Sequence, residues 1–333
     1  MKKYILSSED IQAIRALAAE VASQIQEVAS SSSLELLSLC SHELPRSLRS
    51  ELVHMKLEEE PSVFVISGYL IDDEKLGLTP EALHSGKAAS STLEHEIVFL
   101  LMASLLGEVI GWSTQQAGRI VHDVFPIKSH AHEQIGTGSE QPIWWHTEDA
   151  FHQFRGDYVG LMCLRNPDQV ATTVCMLNDF PLSYELRKIL FQPHFTILPD
   201  DSHRRKNAVR DSEGDPFDAI EESTLHPVKV AVLEGAVDSP YIRMDPYFMI
   251  PAEDRNARDA MMKLVKVIDE RIQEVILHPG DICFVDNYRA VHGRKPFKAR
   301  YDGYDRWLKR INITRDLRKS RSQRKSAADR VIY

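Results

Sequence analysis

The first third of the chain has the hydrophobic periodicity of packed helices. Ser7 and Asp10 match a helix-capping box, and apolar residues then recur at helical spacing. Residues 93–110 form the most apolar stretch and predict a buried helix, whereas the β-branched run SVFVISGYL at 62–70 predicts a strand. We therefore expect a largely helical N-terminal flank over about residues 1–110. The apolar positions of the first helix are Ile11, Ile14, Leu17, Ala18 and Val21.

From about residue 111 to 333 the pattern changes to that of a β core. One amphipathic helix is predicted over 252–276, and the other periodic segments are short and β-like. A core of six or more strands with helices beside it, in one domain over 1–333, is typical of a β-sandwich or jelly roll. Residues 200–222 are polar, charged and without periodicity, so we expect a disordered insert or a mobile lid there. Six runs predict strands, at 157–164, 171–177, 226–233, 240–244, 281–287 and 306–314.

Composition and charge exclude several functional classes. The 333 residues contain 40 Lys and Arg against 49 Asp and Glu, so the net charge of −9 gives no general basic field for nucleic acid or an anionic membrane. The longest nearly apolar run, at 97–106, is about half the length that a bilayer requires. The N-terminus becomes charged too early for a secretory signal. The four cysteines are widely spaced without a CxxC pair, which predicts reduced core thiols in a cytoplasmic protein.

A His-x-Glu motif at 146–148 is the first candidate for chemistry. In an extended segment His146 and Glu148 point to the same face and could share a metal ion. Composition alone gives about two such pairs by chance, so a hydrogen-bonded core histidine is an equally simple interpretation of the motif alone. The usual P-loop, Rossmann, α/β-hydrolase and zincin motifs are absent.

A second histidine strengthens the metal interpretation. His292 follows the predicted strand at 281–287 and completes a set of two imidazoles and one carboxylate, which fills one face of an octahedral ferrous ion and leaves three positions open. Arg306, in another predicted strand, could clamp the distal carboxylate of an α-keto acid. Together these residues predict an oxygenase that uses Fe(II), 2-oxoglutarate and dioxygen. The alternative for Arg306 is a surface cation in a basic tail.

Long blocks of the sequence resemble a known family. WWHTEDAFHQFRGDYVGLMCLRNPDQVATT, DICFVDNYRAVHGRKPF and ARYDGYDRWLKRINITRDLRKSR are similar to the clavaminate-synthase-like Fe(II)/2-oxoglutarate oxygenases. They are most similar to the branch that hydroxylates free basic amino acids, such as the arginine hydroxylases of viomycin- and streptothricin-type antibiotic pathways. SHELPRSLR at 41–49 and GWSTQQAGRIVHDVFPIK at 111–128 extend the similarity. The resemblance implies a double-stranded β-helix (jelly-roll) core with helices packed on one side.

The resemblance also implies roles for the residues that match the family motifs. Iron would be bound by His146, Glu148 and His292, and Arg306 would bind the far carboxylate of 2-oxoglutarate. A threonine hydroxyl from position 172 or 173 would assist. Because only one of two adjacent strand residues can point inward, we favour Thr172.

For the substrate, the resemblance implies that Gln115 and Arg310 hold the α-amino and carboxylate groups, with Glu148 close to the amine. Asp245 matches the acid that pairs with the cationic end of the substrate. The arginine hydroxylases carry Asp-x-Asp here, whereas this chain has Tyr247 in place of the second acid. This departure leaves the iron site intact and opens the identity of the substrate.

We therefore expect hydroxylation of a free basic amino acid, with L-arginine at its β or γ carbon as the leading candidate. The same chemistry could end in desaturation, or act on lysine, homoarginine or a cyclic arginine derivative. A non-catalytic jelly-roll binding protein is the alternative outside enzymology, and an oxygenase associated with nucleic acid would require the basic tail at 306–325 to bind it. We expect a small-molecule partner, neither nucleic acid nor membrane, and leave the oligomeric state open.

Two further sets of residues favour structural roles. Trp144 and Trp145 are interpreted as core aromatics beside the metal strand. The spacing of His122, His130 and His132 fits no regular metal site, so we interpret them as solvated loop histidines.

Overall fold

The computed structural model of the chain describes residues 1–83, 90–207 and 216–333. The first helix begins as expected, because the Ser7 hydroxyl accepts from the Asp10 amide while the Ser7 amide donates to the Asp10 carboxylate. Within the described residues the α-helices are α1 (Ser8–Ala22), α2 (Ser31–Cys40), α3 (Arg46–Glu58), α4 (Asp73–Leu76), α5 (Leu93–Leu106), α6 (Tyr184–Leu190), α7 (Asp218–Leu225) and α8 (Arg255–Asp269).

The strands are mostly short, and they are concentrated in the second half of the chain. They are β1 (Lys2–Ile5), β2 (Val63–Ser67), β3 (Glu108–Trp112), β4 (His122–Val124), β5 (Ile143–His146), β6 (Tyr158–Arg165), β7 (Thr172–Met176), β8 (Phe195–Ile197), β9 (Lys229–Val230), β10 (Leu233–Gly235), β11 (Pro240–Ile242), β12 (Met249–Ile250), β13 (Gln273–Val275), β14 (Ile282–Asp286), β15 (Ala290–Arg294), β16 (Trp307–Thr314) and β17 (Val331–Ile332).

Two sheets pack face to face and form the core. The larger has eight strands in the order β1-β2-β14-β6-β16-β3-β17, with β4 also paired to β16. The smaller has the order β13-β7-β15-β5. Side chains from both sheets fill the layer between them, including Leu161, Cys163, Val174, Val285 and Leu308. This sandwich is the jelly-roll core that the sequence predicts.

Helices cover both outer faces of the sandwich, not one side as expected. Helices α1, α2, α3 and α5 pack with the outer face of the larger sheet in one apolar cluster. Helices α6 and α8 pack against the smaller sheet, where Cys175 and Val291 contribute to a second cluster. Strand alternation explains this arrangement, since each strand of the two sheets presents one set of side chains inward and the other outward.

Several element boundaries differ from the sequence prediction. Helix α8 ends at Asp269, because part of the stretch predicted as helix up to 276 forms β13, which pairs with β7. Helix α5 ends at Leu106 and is followed by β3. The run at 226–233 is split between β9 and β10. Strand β1, parallel to β2, was not predicted in the helical flank.

The candidate lid at 200–222 is described in part. A single helical turn at Asp201–His203 and helix α7 lie in it, while residues 208–215 lie outside the described residues. All four cysteines are buried and unpaired, as expected. None of the described helices has both the length and the hydrophobicity needed to cross a membrane.

Candidate functional site

The two histidines of the predicted triad lie opposite each other on neighbouring strands. His146 ends β5 and His292 lies in the middle of β15, and the antiparallel register pairs their Cα atoms directly. Residues paired in this way project to the same face of a sheet. The two imidazole centroids are 4.6 Å apart, and both rings line one cavity between the sheets.

Glu148 reaches the histidines although it lies beyond the end of β5. Asn287 fixes its backbone: the Glu148 amide donates to Asn287 Oδ1 (2.6 Å), and Asn287 Nδ2 donates to the Glu148 carbonyl oxygen (3.0 Å). The carboxylate atom Oε2 lies 3.4 Å from His146 Nε2 and 3.2 Å from His292 Nε2. The convergence therefore depends on a long-range contact as well as on strand alternation.

The three donors fit a divalent transition metal. They lie within 4.8 Å of one another, and cis ligands at bond lengths of about 2.1 Å are about 3 Å apart. His146 Nδ1 donates to the Trp144 carbonyl oxygen (2.8 Å), which leaves the Nε2 lone pair free. Burial opposes ionisation of Glu148, but Arg310 and the two histidines hold its pKa well below its usual range. An ionised carboxylate with two imidazoles is the donor set of 2-His-1-carboxylate iron sites.

Arg310 links the triad to the predicted amino-acid site. Its Nη1 donates to Glu148 Oε1, and its Nη2 donates to Gln115 Oε1 (3.0 Å) and to His122 Nδ1 (2.8 Å). His122 Nε2 donates to the Arg119 carbonyl oxygen (2.8 Å). Burial, followed by the charge of Arg310, holds the pKa of His122 well below its usual value, so the ring is a neutral acceptor. The interpretation of His122 as a solvated loop residue is wrong, because it lies in β4 and is buried against β16.

Arg306, which precedes β16, is a buried cation without a counter-ion in the described part of the chain. It is 5% exposed, no carboxylate pairs with it, and its Nε has no hydrogen-bond partner. Burial lowers its pKa to about 10. Because an unpaired buried charge is costly, this position fits an anionic ligand. Thr172 lines the same cavity, whereas the Thr173 hydroxyl faces the other way, next to Gly293.

Asp245 lines the cavity from the loop that follows β11. Thr147 fixes this loop, since its amide donates to the Met244 carbonyl oxygen (2.9 Å) and its hydroxyl accepts from the Met244 amide (3.1 Å). Asp245 Oδ1 accepts from the amides of Tyr247 (3.2 Å) and Phe248 (3.3 Å). Asp245 is 8% exposed, and burial raises its pKa to about 6. Its Oδ2 has no hydrogen bond from any described residue and so remains available to a cationic ligand.

Two partly exposed aromatic rings form one wall of the cavity. Trp144 and Tyr247 meet edge to face with centroids 6.5 Å apart. Trp144 shares its strand face with His146, two residues later, whereas Trp145 lies on the opposite face and donates to Asp269. The interpretation of both tryptophans as core residues is therefore correct for Trp145 and wrong for Trp144.

A second group of potential metal ligands lies beside the triad. It consists of Asp149, Asp200 and His203. The Asp149 oxygens are already engaged, because Oδ1 accepts from His203 Nε2 (2.9 Å) and Oδ2 accepts from Trp112 Nε1 (2.6 Å) and Asn312 Nδ2 (3.0 Å). Hydrogen bonding accounts for these atoms without a metal ion.

Comparison with known proteins finds relatives that match the whole chain. Enduracididine beta-hydroxylase of Streptomyces hygroscopicus is 45% identical, with 98% of each chain covered. L-ornithine/L-arginine 3-hydroxylase of Catenulispora acidiphila is 44% identical, with 100% of each covered. The family model described as "Taurine catabolism dioxygenase TauD, TfdA family" matches residues 198–312. The chain belongs to the TauD/TfdA family.

A solved structure agrees with this identification. The crystal structure of the non-heme iron oxygenase OrfP in complex with Fe, succinate and (3S)-hydroxy-L-Arg matches with a TM-score of 0.95 and 41% identity, and both chains are covered completely. The resemblance to clavaminate-synthase-like oxygenases and the jelly-roll fold are thereby confirmed. This TauD/TfdA protein is an iron- and 2-oxoglutarate-dependent dioxygenase.

Some residues of the TauD/TfdA site had no signal in the sequence. Asn287 is fully buried and contacts Glu148 across 139 positions, and His122 contacts Arg310 across 188. Only the pairing of strands brings such residues together, although the neighbourhood of His122 within the block GWSTQQAGRIVHDVFPIK marked that segment. The roles of the individual iron, 2-oxoglutarate and substrate residues stay predictions.

Proposed function

We propose that this oxygenase hydroxylates the β carbon of a free basic amino acid, with L-arginine as the first candidate. The two relatives are named for β- or 3-hydroxylation of enduracididine and of ornithine or arginine. OrfP has been crystallised with Fe and L-Arg as well as with hydroxylated arginine. Of the β and γ positions, the names of both relatives favour β.

The observation that carries the proposal is the set of charges in one cavity. The three predicted iron ligands, the unpaired guanidinium of Arg306 and the buried carboxylate of Asp245 all line it. Arg306 supplies a partner for the distal carboxylate of 2-oxoglutarate, and Asp245 supplies one for a guanidinium. A substrate with a zwitterionic end and a cationic end matches this arrangement.

Iron and 2-oxoglutarate, when bound, supply the activated oxygen atom that converts C–H to C–OH, with succinate and carbon dioxide as co-products. The protein residues bind and orient. Arg306 and Thr172 would hold 2-oxoglutarate, while Gln115, Arg310 and the free edge of Glu148 would hold the α-amino and carboxylate groups. With Asp245 holding the other end, the substrate is fixed at both ends, and this decides which carbon faces the metal.

A cyclic guanidino amino acid is the second candidate substrate. Tyr247 replaces the second acid of the arginine hydroxylases, and together with Trp144 it presents aromatic surface beside Asp245. A planar guanidine can stack on such a surface while one carboxylate pairs with it. The relative named for enduracididine is consistent with this alternative.

Succinate release tests the proposal. The iron-loaded enzyme is supplied with 2-oxoglutarate, dioxygen and arginine, ornithine, lysine, homoarginine, enduracididine or the neutral isostere citrulline. Product mass distinguishes hydroxylation, plus sixteen, from desaturation, minus two. We expect coupled hydroxylation of a guanidino amino acid and little turnover of citrulline. Equal turnover of citrulline and arginine would refute the cationic site.

Two variants identify the cationic site and its selectivity. Asp245→Ala is expected to abolish turnover of cationic amino acids with unchanged iron content. Tyr247→Asp restores a second carboxylate and is expected to shift preference toward linear arginine, at the expense of the cyclic guanidine. Turnover of arginine by Asp245→Ala at the wild-type rate would show that this acid is assigned wrongly.

We also propose a reducing, cytoplasmic location and a small-molecule partner. The four buried, unpaired cysteines support the location, because exposed oxidising compartments favour disulfides. For the basic tail we propose a solvated face and not a nucleic-acid site, so activity should not depend on added DNA or RNA.

A further inference from the structure

One helical turn of the candidate lid segment is attached to the centre of the protein by a buried histidine. The turn Asp201–His203 begins with Asp200, whose Oδ1 accepts from the Ser202 amide (2.8 Å) and hydroxyl (2.5 Å). Asp200 and Ser202 are partly exposed, but His203 is completely buried. A fully buried imidazole in a polar, partly exposed turn requires specific partners.

His203 has a partner at each nitrogen. Nε2 donates to Asp149 Oδ1 (2.9 Å), and Nδ1 is hydrogen-bonded to Thr114 Oγ1 (2.7 Å). The ring also packs edge to face against Trp112 and Phe151, with centroids 5.5 and 4.9 Å away. These contacts hold the imidazole in one orientation.

The partner carboxylate is itself rigidly placed next to the triad. Asp149 directly follows Glu148 and has a backbone φ of 51°, in the left-handed region that non-glycine residues rarely adopt. Its second oxygen accepts from Trp112 and Asn312, which belong to β3 and β16 of the larger sheet. The turn is thus attached to the same short segment that carries a predicted iron ligand.

The attached turn in turn contacts Gln115. Gln115 Nε2 donates to Ser202 Oγ (2.6 Å) and lies 3.0 Å from His203 Nε2, while Gln115 Oε1 accepts from Arg310 (3.0 Å). A continuous series of contacts therefore joins Asp149, His203, Gln115 and Arg310. Movement of His203 would release one side of the Gln115 amide.

We infer that His203 is a positioning residue for the α-amino and carboxylate end of the substrate, acting through Gln115 and the 201–203 turn. This inference rests on the proposed function, in which Gln115 and Arg310 hold that end. His203 touches neither Arg306 nor the iron ligands in any described contact. Its loss should therefore affect the amino acid and not 2-oxoglutarate.

The test compares His203→Ala, His203→Gln and Thr114→Val with wild type. The amino acid is whichever one the wild-type enzyme turns over best. We expect His203→Ala to raise the KM of the amino acid about tenfold and to release succinate in excess of hydroxylated product, with unchanged KM for 2-oxoglutarate and unchanged iron content. The Gln side chain can still donate to Asp149, so His203→Gln should recover part of the coupling.

Thr114→Val removes one hydrogen bond to the imidazole with little change of shape, and it decides the matter if His203→Ala does not fold. It should produce the same separation of the two KM values to a smaller degree. His226→Ala, at a side chain that is 76% exposed, is the matched control and should change neither KM. Equal changes in both KM values, or a lowered melting temperature with unchanged coupling, would overturn the positioning role. Absence of amino-acid turnover by the wild type would instead refute the proposed function, and this inference with it.

Discussion

His146 and His292 face each other across the antiparallel pair β5–β15, although 146 positions separate them in the chain. The register of this one strand pair brings the two imidazoles together. A slip of one residue would turn one ring toward the outer face of the sheet. Directly after His292 the register shifts, at Gly293, before Arg294 pairs with Ile143.

Gly293 is therefore expected to control the spacing of the two imidazoles. A Cβ atom there would lie 2.5 Å from the Ile143 carbonyl oxygen and 3.0 Å from the Trp145 amide nitrogen, so Gly293→Ala must push β5 away from β15. We expect the affinity for Fe(II) to fall by about tenfold or more and the free energy of unfolding to fall by about 1–3 kcal/mol. Anaerobic metal titration and urea unfolding measure these two quantities.

Gly136→Ala provides a control for this substitution. The new Cβ would approach Val124 no closer than 3.5 Å, an ordinary van der Waals distance. Its iron affinity should stay within about twofold of wild type, on the order of experimental scatter. An unchanged iron affinity in Gly293→Ala would show that the strand pair can absorb the methyl group without separating the imidazoles.

Arg306 should determine the affinity for 2-oxoglutarate. Loss of a bidentate, charge-assisted pair costs about 3 kcal/mol, so Arg306→Ala should raise the KM for 2-oxoglutarate about 100-fold. Arg306→Lys keeps the charge but not the planar pair of donors, and it should have an intermediate effect. Steady-state succinate assays give these values, with the exposed Arg300→Ala as control. A KM for 2-oxoglutarate that is unaffected by both Arg306 variants would exclude this residue as the carboxylate partner.

The same residue should reduce stability when no 2-oxoglutarate is bound. Its buried guanidinium has no carboxylate partner among the described residues, so Arg306→Met should unfold at higher urea than the wild type, with a gain of about 1–3 kcal/mol. Saturating 2-oxoglutarate should stabilise the wild type and not the variant. A less stable variant without ligand would mean that an internal partner already compensates the charge.

Local rules explain why much of this site could be predicted from the sequence. Alternation places Arg306 and Arg310 on one face of the strand region and separates Thr172 from Thr173, and the structure has both arrangements. The capping box at Ser7 is equally local. Each of these features depends on neighbours within a few residues, so the sequence pattern contains it.

Long-range contacts account for the features that could not be predicted. The amphipathic pattern that predicts helix up to 276 cannot show that Gln273–Val275 pair with β7. Nor does any local pattern indicate that Asn287 holds Glu148 or that His122 accepts from Arg310. The single-domain organisation stays a prediction.

Asn287 should support both stability and iron binding. Besides its two bonds to Glu148, its Nδ2 donates to the Gly156 carbonyl oxygen (2.9 Å). Asn287→Ala leaves three buried backbone groups without this partner, so we expect a loss of about 2–5 kcal/mol in the free energy of unfolding. Iron affinity should fall by about 10- to 100-fold because the carboxylate is no longer fixed. Asn287→Asp keeps one acceptor and should be milder in metal titrations; identical losses in both variants would argue against the donor role of Nδ2.

Asp286, at the end of β14, should make stability depend on pH. Burial raises its pKa from 3.8 to about 7, while the Tyr288 amide, which donates to Oδ1 (2.9 Å), opposes the shift. The folded state therefore retains a proton that the unfolded state releases near pH 4. This difference stabilises the folded protein fully below pH 4, and the contribution is lost as the pH rises through about 7.

Asp286→Asn keeps the acceptor and removes the titration. The free energy of unfolding of the variant minus that of the wild type should increase between pH 5 and pH 8, by on the order of 2–4 kcal/mol. Urea denaturation across this pH range measures the difference, and subtraction removes the contributions of other titrating groups. Glu270→Gln, at an exposed acid of the C-terminal end of α8, is the control and should give a constant difference. A constant difference for Asp286→Asn as well would mean that Asp286 is already ionised in the folded protein at pH 5, with Arg289 outweighing its burial.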